Sequence, residues 1–538
     1  MIRNVNKRGF KKGASSILLL MLVCSLVISA CSSSPKSSDG SSTDSAETVT
    51  FKVEVFDRGN SPAGSTITDN YLTKYVQEQF GKPNNINVEF VPVPRSEEVE
   101  KLNVLMASGG DVPDIVFSYD PNVFNRYASQ GGLTDLTELL DQYGTNLKQF
   151  LGEDVLAYGK FEGKQYAIPA KRANLGKYAS AIRQDWLDKL GLPLPTTTEE
   201  LYNTLKAFKE KDPGETGGKV IPLGMTIAAA QVDPLIWSFI EPLTEEQKYT
   251  LTQQLGSNDY PILLPGFKEA LKFMNKLYNE GLMSKDFALD KDKKQLSQDV
   301  SSGLVGFLSE DDINPYYVDG MLSTLEANVP GATLTPVDAY SNSEGKYAKP
   351  SYAPNGMYIM IPKSSKRAVE AIKYLDWMAS GDHLFHMQNG IEGENYTLNE
   401  DGIPVLIENM SEEAKNRLYN SGDMAIISNG KQLGSDEKNT EARALQMDPR
   451  YQDKARAAIR ISSTDTFQPV LMEKPIEAQT KYGTTLQDKY NEIIVKTTMV
   501  TPDKFESTFE TMMKDYMSSG GQAILDERIA VYKEMQSN

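Results

Sequence analysis

The chain has 538 residues, with 73 Asp and Glu against 56 Lys and Arg and a formal net charge of −17. That length supports two or more domains with cores of their own. The acidic balance repels nucleic acid and anionic lipid, which excludes both as main partners.

Arg3, Lys7, Arg8, Lys11 and Lys12 are the only charges in the first 30 residues, and ASSILLLMLVCSLVISA follows from Ala14 to Ala30. A basic start, a short apolar run and small residues at its end predict a secretory signal over residues 1–30. A membrane span needs about 20 apolar residues, and serines interrupt this run. The run ends Ile28-Ser29-Ala30-Cys31, which resembles the bacterial lipobox, so Cys31 is expected to be acylated and to become the first residue of the mature chain. The only other cysteine, Cys24, lies in the segment to be removed. The body is therefore expected to hold neither disulfide nor free thiol and to rely on its core. Residues 31–48 are Ser-rich and predict a lipidated, flexible tether on the outer face of the cell membrane.

The body begins with Val49, Phe51, Val53 and Val55 alternating with Thr50, Lys52 and Glu54, the pattern of a half-buried strand. Leu72, Tyr75, Val76 and Phe80 stand at helical spacing, NVEFVPV predicts a second strand, and Val99, Leu102 and Met106 mark a helix. DIVFSYD predicts a third strand. Strand–helix–strand–helix–strand implies right-handed crossovers and a mainly parallel sheet, an α/β fold. Further on, Thr197 to Glu200 reads as a capping box before Leu201, Leu205 and Phe208. Phe267, Leu271, Met274 and Tyr278 form one helical stripe, and Val369, Ile372 and Leu375 another. No internal repeat is present. Ligands of open α/β sheets sit beyond the carboxyl ends of the strands, which directs attention to Asp57-Arg58 and to Tyr119-Asp120.

The residue inventory limits catalysis. The only histidines, His383 and His386, make a His-x-x-His pair that lacks a third metal ligand and reads as ordinary polar residues. There is no G-x-S-x-G elbow, phosphate loop or dinucleotide fingerprint. A glycosidase needs only two carboxylates about 5–9 Å apart, but no stretch singles out a pair. Aromatics stand in loop contexts instead: Tyr119, Trp237, Tyr316, Tyr317, Tyr352 and Tyr396. Aromatic faces stack on sugar rings while Asp, Glu, Asn, Gln and Arg take the hydroxyls, a lining for binding without reaction.

A series of segments then lines up in order across nearly the whole body: EKLNVLMASGGDVPDIV, GGLTDLTELLDQY, FEGKQYAIP, AIRQDWLDKLGLPLPTTTEELYNTLKAFKEKDP, GFKEALKFMNKLYNEGL, SGLVGF, AIKYLDWMAS, GIEGENYTLNEDG and MSSGGQAILDERIAVYKEM. Through this series the chain resembles the extracellular solute-binding proteins of family 1, lipoprotein receptors of carbohydrate ABC importers in Gram-positive bacteria. The resemblance implies a two-lobed fold of the type II periplasmic-binding-protein kind with ligand held between the lobes. It implies a first lobe of residues 49–170 plus about 345–400 and a second of about 173–344 plus 401–538. The crossings are expected at IPAKRAN, KPSYAPNGM and around GENYTLNEDG. Closure on ligand is a hinge motion, and the closed form is what a membrane permease would recognise.

The resemblance places ligand contacts at Tyr119, Asp120, Arg172, Gln231, Trp237, Glu310, Asp311, Tyr352, Asn355 and Tyr396. Arg183, Asp185 and Trp186 match a shared motif, but Asp185 would equally cap its own helix and Trp186 would serve the core. Relatives often carry a calcium loop after the helix ending FKEKDP. Here the stretch reads KDPGETGGKVIPLG, with Asp212 and Glu215 its only acids, and a calcium site needs about six oxygen ligands. No metal and no cofactor are expected. The implied activity is capture of a sugar, of oligosaccharide length, by a monomer that delivers it to an ABC permease and does no chemistry. The acidic surface suits a neutral ligand, while Arg172 and Arg183 leave a uronate open. A receptor for peptides or another organic solute, a surface polysaccharide-active enzyme and a purely structural or signalling lipoprotein remain as alternatives.

Overall fold

Ten strands build two sheets, in a computed structural model that describes residues 48–108, 112–256, 258–310, 312–338, 345–472 and 474–537. Cys31 and Asp311 lie outside the described residues, as do the signal and all of the tether except Thr48. In chain order the strands are β1 (Val49–Asp57), β2 (Ile86–Pro94), β3 (Val116–Ser118), β4 (Ala167–Arg172), β5 (Ser180–Arg183), β6 (Ile221–Gly224), β7 (Val305–Leu308), β8 (Leu334–Val337), β9 (Asn355–Met360) and β10 (Ser428–Asn429).

The first sheet runs β2-β1-β3-β9-β4-β10, with β1 joined to β3 through the Val53–Ile115 bridge. The three opening strands are parallel, as their alternation with helices dictates. β9 is antiparallel to both β3 and β4, so the sheet is mixed rather than mainly parallel. β9 arrives from the second sheet and not through a local strand–helix–strand unit, so no crossover rule sets its direction. The second sheet runs β8-β5-β7-β6 and is mixed as well. The fold is therefore α/β and two-lobed.

β1 departs from simple alternation. Phe51, Val53, Val55 and Phe56 are buried, and so is Glu54. The strand is covered on both faces, as strands of parallel sheets are. The Phe117 N–H donates to Glu54 Oε2 at 3.2 Å, and burial pushes the carboxyl pKa up to about 8.

Helical spacing is realised at Tyr71–Val76, N-capped by Asn70, and the turn widens over Gln77–Gly81. The predicted capping box at Thr197 forms by half. The Glu200 N–H donates to Thr197 Oγ1 at 3.2 Å, but the Glu200 carboxylate accepts from the Thr196 N–H at 2.8 Å, one residue early. Helices Thr198–Lys211, Phe267–Asn279 and Glu477–Met499 bury Phe208, Leu271, Met274 and Ile493 in the second core. The first core holds Phe51, Val53, Phe117, Ile168, Ile359 and Leu375.

The chain passes between the sheets three times. β4 leads to β5 through residues 173–179, and β8 leads to β9 across residues 338–354. The third passage differs from expectation. Residues 393–402 lie within a hairpin whose strands, Tyr396–Leu398 and Pro404–Leu406, pair with each other. The chain then stays with the first lobe: Met424, Ala425, Ile426 and Ile427 join its core, and β10 pairs with β4. It leaves only after Asn429, so the expected boundary at 401 falls too early. The apolar run Met424–Ile427 is what holds the segment there. Thr48–Asn538 form one compact unit. No helix among the described residues is long and apolar enough to cross a membrane.

Candidate ligand-binding site

Two cavities meet at the first and second crossings. The first, about 300 Å³, is lined by Tyr119, Phe124, Arg172, Tyr352, Asn355 and Tyr358 on one side. Gln254, Leu471, Met472, Ile476 and Gln479 line the other. The second, about 560 Å³, is lined by Arg172, Tyr352, Gln388, Asn429, Lys431 and Arg443 among others. Arg172 and Tyr352 belong to both and form the partition.

Each wall has a cause in the chain. Tyr119 follows β3, and its backbone N–H donates to Glu98 Oε1 at 2.9 Å. Its ring stacks on Phe56, with centroids 6.3 Å apart, and the Arg95 guanidinium lies over both rings. Asn429 Nδ2 donates to the Tyr119 hydroxyl at 3.1 Å. Arg172 ends β4: its Nε donates to the Asn355 carbonyl at 3.3 Å and its Nη1 to Asn429 Oδ1 at 3.2 Å. Asn429 thus ties Tyr119 to Arg172. Arg172 and Lys177 both sit against the Tyr352 ring, at 4.3 and 4.8 Å from its centre. Desolvation pulls the Arg172 pKa down. Tyr358 stacks on Phe124 with centroids 5.0 Å apart and forms the floor. Gln479 bridges the lobes, donating to Asn122 Oδ1 at 3.5 Å and to Gln254 Oε1 at 3.3 Å.

Of the positions singled out from sequence, Tyr119, Arg172, Tyr352 and Asn355 come together at these cavities. The others do not. Asp120 caps its own helix, accepting from the Asn122 N–H at 2.8 Å. Gln231 and Trp237 lie on helix Ala229–Trp237 rather than on a cleft loop, and the helix is buried from Gln231 onward. AAQVDPLIW is apolar nearly all round, as an interior helix is. Gln231 Nε2 donates to buried Glu310 at 3.0 Å, and Glu310 pairs with Lys293 at 2.9 Å, so both are internal braces. Trp237 packs on Phe467, ring centroids 5.5 Å apart, in the second core.

Tyr396 is buried edge-on against Phe385. Arg183 donates to both Asp185 oxygens, at 2.8 and 2.7 Å, and to the Gly303 carbonyl at 3.1 Å. Asp185 also accepts from the Thr333 N–H, and Trp186 packs edge-on against Phe208. This trio braces the second lobe. Asp212 accepts from the Thr216 and Gly218 N–H groups at 2.9 and 3.0 Å and so closes its own loop. The histidines meet tyrosine hydroxyls, His383 with Tyr75 and His386 with Tyr71, each at 2.9 Å.

Sequence reasoning missed Arg95, Asn429, Lys431, Arg443 and the strip from Pro469 to Gln479. Nothing local in that strip says that it faces residues far earlier in the chain.

Comparison with known proteins decides the family. Residues 63–382 match the bacterial extracellular solute-binding protein family. The chain belongs to that family. Lipoprotein LipO of Bacillus subtilis (strain 168) is 28% identical over 420 residues, covering 76% of this chain and 78% of the relative. The polygalacturonan/rhamnogalacturonan-binding protein YtcQ of the same organism is 24% identical over 478 residues, covering 85% and 88%. Among solved structures, the alginate-binding protein AlgQ2 without calcium ion superposes with a TM-score of 0.65 at 22% identity, covering 91% of this chain and 98% of that one. A family defined by extracellular solute binding places this chain among binding proteins.

Proposed function

We propose that the protein captures an oligosaccharide between its lobes and delivers it to the permease of an ABC importer, tethered outside the cell through acylated Cys31. One observation carries the reading: two adjoining cavities share the Arg172–Tyr352 partition, between a wall from the first sheet and a strip from the second lobe. Tyr119 and Tyr352 line the cavities as half-buried rings and Asn429 as a half-buried amide, surfaces suited to sugar rings and hydroxyls. Several sugar units fit along such a pair of cavities. Among the described residues only Glu162 lines the first cavity as a carboxylate, and none lines the second. That supports capture without the carboxylate pair that glycoside hydrolysis uses. YtcQ, a relative along most of the chain, is named for polysaccharide binding, which supports a carbohydrate ligand.

Thermal melting of the folded unit against mono-, oligosaccharides and short peptides tests this. A ligand at 100 times its dissociation constant adds about 2.7 kcal/mol of stability. A selective upward shift with oligosaccharides is expected. A shift with peptides alone would turn the reading to a peptide receptor, and progressive loss of the sugar would revive an enzyme.

A further inference from the structure

The cleft runs against the charge of the molecule. In a chain of net charge −17, Arg95, Lys160, Arg172, Lys431, Arg443 and Lys474 line the two cavities against one carboxylate among the described residues, Glu162. Four of these cations are already paired. Arg95 meets Glu98, Lys160 meets Glu153 at 3.8 Å, Lys474 meets Glu534, and Arg443 grips both Asp312 oxygens at 2.6 and 2.7 Å.

Arg172 and Lys431 are different. Among the described residues neither has a carboxylate within 4.0 Å. Arg172 has the Asn355 carbonyl, Asn429 Oδ1 and the Tyr352 ring, and its Nη2 makes no hydrogen bond among the described residues. Lys431 has Asn389 Oδ1 at 2.7 Å. Desolvation pulls the Lys431 pKa down to about 8. A desolvated cation with only neutral partners is costly, and an arriving anion relieves that cost.

We propose that the second cavity is an anion subsite, in which Arg172 and Lys431 take the carboxylate of an acidic sugar unit. The inference rests on reading the cleft as a carbohydrate site. Arg172 belongs to both cavities, so the anion belongs to a ligand that continues past Tyr352 into the aromatic-lined first cavity. The planar guanidinium fork matches a carboxylate, and Lys431 adds a point charge. The overall acidic charge does not oppose this. Solvent screens exposed charges beyond about 8 Å, whereas the cleft presents its own cations at contact distance.

Calorimetry on the folded unit, Thr48–Asn538, tests the subsite. The probes are trimers of galacturonate, glucuronate and guluronate, their carboxyl-reduced neutral counterparts, short peptides and sodium sulfate. At least one uronate trimer is expected to bind, with affinity falling as salt rises, and its neutral counterpart to bind at least about tenfold more weakly. Arg172→Gln and Lys431→Gln are each expected to weaken that trimer about ten- to hundredfold, with unliganded melting reporting that each variant is folded. Neutral trimers binding as tightly as uronates would overturn the anion subsite and leave the carbohydrate reading standing. Peptides binding where no sugar does would overturn both. Sulfate binding as tightly as the trimers would show a bare anion site and overturn the assignment to an acidic sugar.

Discussion

The Arg172 guanidinium carbon lies 4.3 Å from the centre of the Tyr352 ring, and that ring is the wall between two cavities. Lys177 approaches the same ring at 4.8 Å. Each such contact contributes about 0.5–2 kcal/mol, more where water is excluded. Tyr352→Ala is expected to merge the cavities, release both cations and weaken oligosaccharide binding about tenfold or more. Tyr352→Phe keeps the ring and is expected to retain most of the affinity. Calorimetry on the two variants checks this, and equal losses would show that the ring face is not what matters.

Glu54 makes stability depend on pH in a direction opposite to an ordinary carboxylate. In the fold it holds its proton up to about pH 8, whereas an unburied glutamate releases it near 4.5. The folded state therefore binds more protons than the unfolded one between those values, and stability falls as pH rises through that window. Glu54→Gln keeps an acceptor for the Phe117 N–H and removes the charge. The variant is expected to match the wild type near pH 5 and to exceed it at pH 9 by on the order of a few kcal/mol. Melting curves from pH 5 to 9 decide it: parallel profiles for the two proteins would rule Glu54 out as the source.

Much of the fold was legible because it is locally written. Alternation at Val49–Val55 marks β1, and the stripe from Phe267 to Tyr278 marks a helix of the second core. The antiparallel insertion of β9 was not, because nothing in NGMYIM says which way the strand runs once the chain has left and returned. The site divides in the same way. Tyr119 stands at a strand end, where topology directs attention, and the family resemblance added Arg172, Tyr352 and Asn355 at the crossings. Gln231, Trp237 and Glu310 were drawn to the cleft by the family resemblance, yet their hydrogen bonds and packing turn inward. Asn429 and Lys431 needed the third passage, which the sequence placed some 30 residues too early.

Trp237 now predicts a stability effect and not a binding one. It is fully buried between the helix Ala229–Trp237 and Phe467. Trp237→Ala removes a large core side chain and is expected to cost about 3–5 kcal/mol. Trp237→Phe preserves most of the packing and is expected to fold with near-normal sugar affinity. Urea melts give the first quantity and calorimetry the second. A Phe variant that folds normally but loses the sugar would return Trp237 to the ligand.

The loop after helix Thr198–Lys211 is closed by its own hydrogen bonds. Asp212 adopts a left-handed backbone, φ 41°, and its carboxylate takes the Thr216 and Gly218 N–H groups and the Thr216 hydroxyl at 2.8 Å. The neighbouring acid, Glu215, turns away to Lys189 at 3.4 Å. With its lone pairs engaged by the loop's own donors, Asp212 acts as an internal clamp, and calcium needs about six free oxygens. Asp212→Ala frees those donors and leaves alanine in a left-handed conformation, so a loss of about 1–2 kcal/mol is expected. Asp212→Asn retains one acceptor oxygen and tolerates the backbone, so a smaller loss is expected. Melting with 5 mM calcium, on the order of typical extracellular site constants, and with chelator separates the two accounts. The same melting temperature in both, with the ordering wild type above Asn above Ala, is the expected result. A calcium-dependent rise in the wild type that Asp212→Ala abolishes would make the loop a metal site after all.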